Sequence, residues 1–545
     1  MKIKLSKKII LFMFGFVLFM QTGNFMQAKT LTDFDKPAEY ESLNKDLMNK
    51  LSFDELIKLS AEKNPENDLN TKLNYVLYNP IVDNSFGKNN VAINNDKNIG
   101  DFVRTASWNI DRGLNLDYIK TLFSSPEEMM KKITDPKVDK LKVAKQIEIL
   151  RHSDIMVLNE VDIGMPRTDY KNIAEELAKT LGYNYAFGTE FVEVDPAHLG
   201  MEDNQWSEER ILFPGKKYTV DKSKYKGLHG NAILSRFPLK NVRIIRFPAY
   251  YDWFGSEKSK VAEIEFIRRE AAEKIFREDV IREIRQGSRI ALLADVEIPG
   301  MKQPVTIIAV HLENRALPEY RYKQIKILLD AIKDIKNPVI LAGDFNTTAN
   351  DASPTSVKRE IVKRLEDPQF LAKQILIYAV PYSLAVSTAE EVTDLLRIYK
   401  NPAVKNIPVI SPNKERKLFL TLQNFMFNDG GKFDFSGNKY KSSNGRANLL
   451  ANSNQRDIQG FTPTYIFQRP LFIGKYKLDW IFVKPSVSVK ESNSNKITEF
   501  EPLYGRTLLE MNYAFDKLPS DHSPVTVDLP INPSFDKDFK KPGKI

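Results

Sequence analysis

Polar side chains suited to acid–base or metal chemistry recur within or at the ends of apolar runs along this chain. They are Asn109, Glu160, His311, Asp344, Asn346, Asp479, Asp521 and His522. Burying an unpaired polar group costs roughly 1–3 kcal/mol, so each is a poor choice for a strand that only packs. If these strands are neighbours, the polar groups meet at one edge, and a single site accounts for all of them.

The stretch from Val339 to Asn346 shows the pattern most plainly. Four apolar residues lead into Gly343, and Asp344 and Asn346 follow two positions apart. The run is typical of a strand buried on both faces, and alternation turns Asp344 and Asn346 to the same side. A carboxylate beside an amide at a strand end suits a hard cation and a phosphate. Asp and Asn are also ordinary turn residues, so the motif alone leaves both interpretations open.

The residue types favour oxygen ligands and imidazole over a thiolate or zinc site. Glu160, Asp521 and Asn109 offer the oxygens that Mg²⁺, Mn²⁺ or Ca²⁺ bind. The five histidines form neither an HExxH pair nor a zinc-type cluster. Asp344 is suited to taking a proton from attacking water, and an acid such as Asp479 to orienting a histidine.

Composition sets the broad class of the protein. The 545 residues are 42% hydrophobic and 28% charged, which is ordinary for a soluble globular chain with room for two domains. The formal net charge of +9 favours polyanionic partners such as nucleic acid or anionic lipid. The absence of cysteine excludes disulfides, thiolate metal sites and cysteine nucleophiles.

The N-terminus has the order of a secretory signal peptide. Four lysines within the first eight residues precede an apolar run from Ile9 to Met20, and Ala28 offers a small residue for cleavage. Residues 1–28 therefore predict export, to the periplasm or beyond the cell. The run is shorter than the roughly 20 residues of a membrane span. Met26 fits poorly at the third position before the cut, which leaves an uncleaved anchor as the alternative.

The rest of the chain divides into an extension, a main domain and a tail. Residues 29–101 predict a helical N-terminal extension in which Ser52 and Glu55 form a capping box, followed by an Asn-rich loop over Asn84–Asn98. Residues 102–530 alternate strands and helices, with insertions at about 255–288 and 353–468, and residues 531–545 form a polar tail. A charge-rich helix is expected over Glu257–Gln286.

Periodicity and end signals predict the elements of the main domain. The predicted strands are Phe102–Asn109, Ile155–Leu158, Asn231–Leu234, Arg289–Glu297, Val305–Val310, Val339–Ala342, Leu478–Val483 and Val525–Val527. The predicted helices are Val138–Leu150, Ile173–Leu181 with Gly182 as its C-cap, and Pro318–Ile335.

Seven short segments of the main domain form an ordered set: Ser107-Trp108-Asn109-Ile110, Leu158-Asn159-Glu160-Val161, Gly230-Asn231-Ala232-Ile233-Leu234-Ser235, Val310-His311-Leu312, Gly343-Asp344-Phe345-Asn346, Leu478-Asp479-Trp480 and Ser520-Asp521-His522-Ser523-Pro524. They occur in the order found in the endonuclease/exonuclease/phosphatase superfamily, which the sequence resembles from about Phe102 to Leu529. This superfamily includes DNase I-like nucleases, abasic-site endonucleases, bacterial sphingomyelinases and inositol polyphosphate phosphatases.

The resemblance implies a four-layered α/β sandwich, with two mixed sheets face to face and helices outside. It also implies Mg²⁺-dependent cleavage of a phosphoester by in-line attack of water. By the same likeness, Glu160 is the main metal ligand, with Asn109 and Asp521 nearby.

The catalytic roles implied by the resemblance fall on five residues. Asp344 would activate water, and Asn346 would orient Asp344 or the phosphate. His522, paired with Asp479, would act as general base or stabilise the charged phosphorane. His311 would bind the phosphate or serve as the acid. Members of the superfamily divide these proton roles differently, so both options stay open for each histidine.

DNase I-like nucleases carry a further acid that partners the first histidine. Glu190 or Glu193 could fill that place, although no motif fixes either of them. Three more residues are candidate substrate contacts: Asn231, Arg315 and His229. A lone loop histidine is more often plain surface, and that is the alternative for His229.

Two features near the motifs also have a functional and a structural interpretation. The aromatic run at Tyr250–Phe254 suits either contact with a membrane or a base, or a buried edge. Arg321 could meet substrate phosphates, but a solvated helix start is the more ordinary interpretation.

The sequence thus predicts an exported, metal-dependent hydrolase of phosphoesters, with phosphodiesters as the favoured substrate class. Nucleic acid and a phospholipid headgroup are the candidate substrates, the second with peripheral membrane contact. The alternative class is a binding or surface protein that keeps this scaffold without catalysis, because a fold does not fix a function.

Overall fold

The computed structural model describes residues 37–63, 65–87, 92–97, 99–202, 219–258, 282–316, 318–347, 398–401, 404–408, 416–434, 456–457, 460–461, 463–469, 472–486 and 499–532. The predicted signal peptide, nearly all of the polar tail, and most of the two insertions lie outside the described residues. The predicted charge-rich helix lies there too, apart from its two ends.

Helices in the described part of the chain fall mostly where apolar residues recur at helical spacing. They are α1 (Pro37–Met48), α2 (Phe53–Ala61), α3 (Asn67–Tyr78), α4 (Leu116–Ser124), α5 (Pro126–Lys131), α6 (Lys140–Arg151), α7 (Ile173–Leu181), α8 (Gly255–Lys258), α9 (Pro318–Ile332), α10 (Arg416–Asn424) and α11 (Leu509–Tyr513).

The strands, in chain order, are β1 (Ile81–Asp83), β2 (Asn94–Asp96), β3 (Gly100–Arg112), β4 (Ile155–Ile163), β5 (Asn184–Glu193), β6 (Leu228–Ser235), β7 (Leu239–Arg246), β8 (Arg285–Gly287), β9 (Ile290–Val296), β10 (Val305–His311), β11 (Val339–Asp344), β12 (Ile398–Asn401), β13 (Val404–Pro408), β14 (Arg456–Asp457), β15 (Gly460–Phe461), β16 (Tyr465–Arg469), β17 (Phe472–Tyr476), β18 (Asp479–Lys484), β19 (Leu503–Thr507) and β20 (Val525–Asn532).

Two mixed sheets form the centre of the protein. The larger sheet has nine strands, in the order β1-β5-β6-β4-β3-β20-β19, with β2 added beside β3 and β8 beside β5. The smaller sheet has five strands, in the order β18-β11-β10-β9-β7. Each contains one parallel pair, β3 with β4 and β10 with β11, while the other named pairs are antiparallel. A parallel pair needs a crossover, and α4–α6 and α9 supply the two crossovers.

The two sheets pack face to face, with helices on their outer faces. Val157, Ile233 and Leu529 of the larger sheet share one buried cluster with Ile307 and Ile481 of the smaller sheet. Helices α4, α6 and α7 cover the outer face of the larger sheet, and α9 and α10 cover that of the smaller. Each fully buried aliphatic side chain contributes roughly 1.5–3 kcal/mol. The predicted four-layered α/β sandwich is confirmed.

The N-terminal extension is built into the edge of the larger sheet. Its β1 pairs with β5, and its β2 pairs with β3. The Asn44 side chain donates to the carbonyl of Val82 at 2.6 Å and accepts from its N–H at 3.0 Å. Gln286 Nε2 donates to the Leu59 carbonyl at 2.9 Å. The expected capping box is present, with Ser52 and Glu55 bonded reciprocally at the start of α2.

Several local predictions need correction. The expected loop over Asn84–Asn98 contains β2, and β3 runs on past Asn109 to Arg112. Helix α9 ends at Ile332 rather than at Ile335. Strand β5 was not predicted, because all ten of its residues are buried and no alternation marks it. The predicted Gly182 C-cap is present, in the left-handed conformation.

In the part of the chain that the structure describes, none of the helices combines the length and the apolar character needed to cross a bilayer.

A buried ion pair holds the three strands at one edge of the larger sheet. Asp528 on β20 accepts from Arg104 on β3 at 2.6 and 3.1 Å, and from Arg506 on β19 at 3.0 Å. Burial opposes ionisation of Asp528, but Arg506 and Arg104 together lower its pKa. Its contribution is therefore present above the unfolded pKa of about 3.9 and is lost as pH falls through the folded value.

We expect Asp528→Asn to lower the free energy of unfolding at pH 7 by about 3–5 kcal/mol, because two buried arginines lose their counter-charge. Urea denaturation measures this change. The control is Glu297→Gln, which removes an exposed partner of Lys240 and should cost about 1 kcal/mol or less. Equal effects of the two substitutions would contradict the assigned role of Asp528.

Candidate active site

The ends of the two parallel strand pairs meet between the sheets. In the smaller sheet, His311 on β10 lies beside Asp344 on β11, which in turn lies beside Asp479 on β18. In the larger sheet, Asn109 on β3 lies beside Asn159 on β4. The carboxyl ends of parallel strands lie at one edge of their sheet, so each pair brings two polar residues to the same place.

Asp344 lies at the centre of this meeting point. Its Oδ1 accepts from the Asn346 N–H at 2.7 Å, and its Oδ2 accepts from Asn109 Nδ2 at 3.2 Å. The same Oδ2 lies 3.7 Å from His311 Nε2 and 3.9 Å from His522 Nε2. The structure therefore brings Asn109, Asn346, His311 and His522 around one carboxylate, which is 2% exposed.

Asn159 joins the two sheets beneath this carboxylate. Its Oδ1 accepts from the Asp344 N–H at 2.8 Å, and its Nδ2 donates to the Val310 carbonyl at 3.1 Å and to Asn231 Oδ1 at 2.8 Å. Sequence analysis assigned it no role, because its partners lie on other strands far along the chain. An Asn inside an otherwise apolar strand was the available signal.

Gly343 allows β11 to lie very close to Val310 on the neighbouring strand β10. Its φ is +144°, and a Cβ there would lie 1.8 Å from the Val310 carbonyl oxygen. Only glycine fits where the backbone of a neighbouring strand passes this near.

A β-bulge aims Glu160 into the site. The pairing of β4 with β6 shifts register between Leu158 and Val161, and Glu160 has a φ of +52°. A left-handed non-glycine residue costs roughly 1–2 kcal/mol, and bulges commonly redirect a side chain. Glu160 Oε1 accepts from Asn109 Nδ2 at 3.2 Å. Burial opposes its ionisation, but Arg112 and other nearby cations lower its pKa.

Asp479 orients His522. The Nδ1 atom of His522 lies 2.8 Å from Asp479 Oδ2, and the backbone N–H of His522 donates to Ser520 Oγ at 3.1 Å. Ser520 Oγ donates to the Asn109 carbonyl at 2.7 Å. Burial disfavours the charged ring, but Asp479 and then Asp521 raise the pKa of His522 well above its usual value.

His311 has an arginine as its partner rather than an acid. Arg289 Nη1 lies 2.7 Å from His311 Nδ1 and 2.7 Å from Glu190 Oε2, while Glu190 itself is 3.7 Å from Nδ1. An arginine only donates, so Nδ1 accepts and the proton of the neutral ring is on Nε2. Burial and then the charge of Arg289 hold the pKa of His311 well below its usual value.

The expected acid partner of His311 is thus corrected. Glu190 is in the right region, but it bonds Arg289 and Asn231 instead. Glu193 pairs with Arg285 at 2.8 Å, away from His311.

The donor set fits a divalent cation. Burial and then the charge of Asp479 raise the pKa of Asp344 to about 7. Burial raises the pKa of Asp521, and the negative charge of Glu160 also raises it. Mutual repulsion of buried acids is what a bound cation relieves. Asn109, however, presents its amide nitrogen to the acids, so as a ligand it would have to turn its oxygen towards the cation.

A second grouping of possible ligands is less suitable. Ligand atoms of Asp344, Asp479 and His522 all lie within 4.8 Å of one another. Asp479 Oδ2 and His522 Nδ1 already bind each other, so two of the three residues form a hydrogen-bonded pair. This grouping is better described as an oriented imidazole beside a carboxylate, and the oxygen donors around Glu160 remain the candidate metal ligands.

The three candidate substrate contacts have different surroundings. Asn231 is fully buried, and its amide bonds Asn159 and Glu190, so it holds these two side chains in place. Arg315 is 36% exposed at its side chain and pairs with Glu257 at 3.2 Å. His229 is 1% exposed, so its interpretation as a surface residue is wrong.

The structure also decides between the two interpretations of Arg321 and of the aromatic run at Tyr250–Phe254. Arg321 is fully buried, not solvated, and donates to Thr347 Oγ1 at 3.0 Å and to the Ala316 carbonyl at 2.8 Å. In the aromatic run, Trp253 and Phe254 are buried, and Trp253 Nε1 donates to Glu313 at 2.9 Å. The buried interpretation of Trp253 and Phe254 is therefore the correct one.

The solved structures that match this chain share little of its sequence. An endonuclease/exonuclease/phosphatase from Beutenbergia cavernae is 16% identical, with 79% of this chain and 71% of that one covered and a TM-score of 0.34. The 3'-5' exonuclease NExo of Neisseria meningitidis is 16% identical, with 78% and 99% covered and a TM-score of 0.37. The human Nocturnin catalytic domain is 15% identical, with 78% and 93% covered and a TM-score of 0.33.

Sequence comparison with curated proteins gives no match. A family model gives a match that covers residues 106–522, more than half of the chain, and it spans every segment that supplies the residues around Asp344. The chain therefore belongs to the endonuclease/exonuclease/phosphatase family.

Proposed function

We propose that the protein is a divalent-metal-dependent hydrolase that cleaves phosphoester bonds, chiefly phosphodiesters, by attack of water. The observation that carries this proposal is the pair of imidazole Nε2 atoms, 3.7 and 3.9 Å from Asp344 Oδ2, beside Glu160. These separations are too long for direct hydrogen bonds and suit an intervening water or substrate oxygen.

Asp344 acts as the base that takes a proton from the attacking water. A general base works best when its pKa lies near the working pH, and that of Asp344 is raised to about 7. The Asn346 N–H fixes one carboxylate oxygen at 2.7 Å, so the other is directed at the space between the imidazoles.

The two histidines have complementary roles. His311 stays neutral and donates through Nε2 to a phosphate oxygen, because Arg289 occupies its Nδ1. His522 carries a positive charge, since Asp479 holds its Nδ1, and it stabilises negative charge that develops on the phosphate.

Glu160 and Asp521 hold the divalent cation, with Asn109 as a further ligand if its amide turns over. When bound, Mg²⁺ neutralises phosphate charge and polarises the phosphorus–oxygen bonds. Mn²⁺ and Ca²⁺ accept the same oxygen donors.

The substrate class is proposed from the family and from the charge of the chain. The family comprises endonucleases, exonucleases and phosphatases, and a net charge of +9 favours a polyanion. We therefore propose nucleic acid as the leading substrate and a phospholipid headgroup as the second to assay. The basic and then apolar N-terminus supports export by a signal peptide.

Asp344→Asn should lower kcat by roughly 10²–10⁴-fold, because the base for water is lost. The assay uses plasmid DNA, RNA, sphingomyelin, an aryl phosphodiester and an aryl phosphomonoester, each with and without EDTA. Asp295→Asn, at the opposite end of the smaller sheet, is the matched control and should keep full activity. Normal turnover by Asp344→Asn, or turnover of every substrate unchanged by EDTA, would refute the proposal.

Glu160→Gln should abolish Mg²⁺ binding in calorimetry, since an amide oxygen replaces the main anionic ligand. The fold should persist, because a glutamine has almost the same shape. Glu297→Gln is the exposed control and should bind Mg²⁺ like the wild type. A wild-type protein that binds no Mg²⁺ at millimolar concentration would favour the scaffold without catalysis.

Asp344 should also destabilise the metal-free protein at high pH. Its folded pKa of about 7 exceeds the unfolded value of about 3.9, so stability is lost as pH rises between them. In EDTA, Asp344→Asn should therefore raise the melting temperature at pH 8, with a benefit that shrinks as pH falls towards 4. A benefit that is constant with pH would show that Asp344 does not have a raised pKa.

A further inference from the structure

A second histidine–aspartate pair lies beside the site, and the roles given above do not use it. His229 on β6 is directly opposite Asp162 on β4, two residues beyond Glu160. Its Nδ1 lies 2.9 Å from Asp162 Oδ1. Both side chains are almost fully buried, at 2% and 0% exposed.

Asp162 is itself held in place by an arginine. Arg167 Nε donates to Asp162 Oδ2 at 2.6 Å, and Arg167 Nη2 donates to Oδ1 at 3.0 Å. A two-point contact of this kind fixes the plane of the carboxylate as well as its position. The aspartate therefore presents a fixed acceptor to His229 Nδ1, and the ring cannot turn without losing this bond.

The free nitrogen of His229 is on the site side of the sheet. Alternation along β6 places His229 on the same face as Asn231, whose amide bonds Asn159 and Glu190. Asn231 bonds Glu190 at 3.0 Å, and Glu190 lies 3.7 Å from His311 Nδ1, so this face of β6 leads to His311. Phe191 stacks on it, with ring centroids 6.4 Å apart and planes at 27°.

His229 Nε2 has no hydrogen-bond partner among the described residues. Because the Nδ1–H of His229 is donated to the Asp162 carboxylate, Nε2 is left to bond a ligand, and it donates to a phosphate oxygen when the ring carries a proton on each nitrogen. The same arrangement occurs at His522, where Asp479 occupies Nδ1 and Nε2 faces Asp344.

We infer that His229, positioned by Asp162 and Arg167, is a further substrate-phosphate contact of this site, in addition to His311 and His522. This inference rests on the proposed phosphoester hydrolase. Asp162 and Arg167 are positioning residues, since they act through His229 and do not reach the phosphate themselves.

The probe is inorganic phosphate in the presence of saturating Mg²⁺, titrated into the full-length protein by calorimetry. His229→Leu should weaken phosphate binding about tenfold to a hundredfold, the worth of one hydrogen bond to a charged group. Its Mg²⁺ affinity should stay within about threefold of wild type, since such a bond concerns the anion and not the ion. His229→Gln, which keeps an N–H near the Nε2 position, should lose less than His229→Leu.

Nitrogen-15 NMR of the imidazoles provides a readout in the unmutated protein. With five histidines in the chain, each ring can be assigned by substitution. On adding phosphate, the Nε2 resonances of His229 and His522 should both shift. The exposed His152 serves as the control: its resonances should not move, and His152→Gln should bind phosphate normally.

The outcomes separate this inference from the proposed function. If phosphate shifts His522 and the wild type hydrolyses an ester, but His229 neither shifts nor affects phosphate binding, only this inference is overturned. If the wild type neither binds phosphate nor hydrolyses any ester, both fail. Should His229→Leu not fold, the His229→Gln titration and the wild-type spectra decide between the same outcomes.

Discussion

One buried amide fixes how the two sheets meet. Asn159 accepts a hydrogen bond from the backbone of Asp344 and donates to Val310, so β4 of one sheet is joined to β10 and β11 of the other. Asn159 can lie this close to Asp344 and Val310 because Gly343, the residue before Asp344, carries no side chain. Together with the hydrogen bond from Asn109 to Asp344 and the core packed between the sheets, Asn159 sets the distance between the acids of one sheet and the imidazoles and acids of the other. Every role proposed for these residues depends on that distance.

The second constraint is the cost of burying so many charges in one place. Burial and then the charge of Asp479 raise the pKa of Asp344, and an unpaired buried charge is strongly unfavourable. The chain meets this cost with buried arginines, of which Arg289 and Arg167 are the clearest. A metal ion would neutralise the carboxylates that these arginines do not reach. The site is thus built at the expense of stability, which is common where function requires strained or charged groups.

Much of the fold was predictable from the sequence because its strands and helices carry clear local signals. The apolar runs before His311 and Asp344, and the cap at Gly182, each mark an element without reference to the rest of the chain. Strand β5 was missed because both of its faces are buried, so it lacks the alternation that marks a half-exposed strand. The bulge at Glu160 could not be predicted, because a register shift is a property of paired strands and not of one strand.

The residues of the site were also more predictable than their partners. Residue types and strand ends pointed to Glu160, Asp344 and His522, which the structure places in one neighbourhood. The family resemblance offered Glu190 or Glu193 as an acid partner for His311, where the structure has Arg289. Sequence analysis also gave a surface position as the alternative for His229, because burial depends on which strand lies opposite, and that strand carries Asp162. Local signals identify the groups that do chemistry, whereas their protonation and orientation depend on contacts across the fold.

The central claim is that acids from both sheets and their histidines surround one divalent cation. Anomalous diffraction from a crystal soaked in Mn²⁺ tests it most directly. The account predicts a single strong peak within about 2.5 Å of a Glu160 carboxylate oxygen, next to Asp344 and Asp521. No peak between the sheets, or a peak bound only by Asp479 and His522, would contradict it.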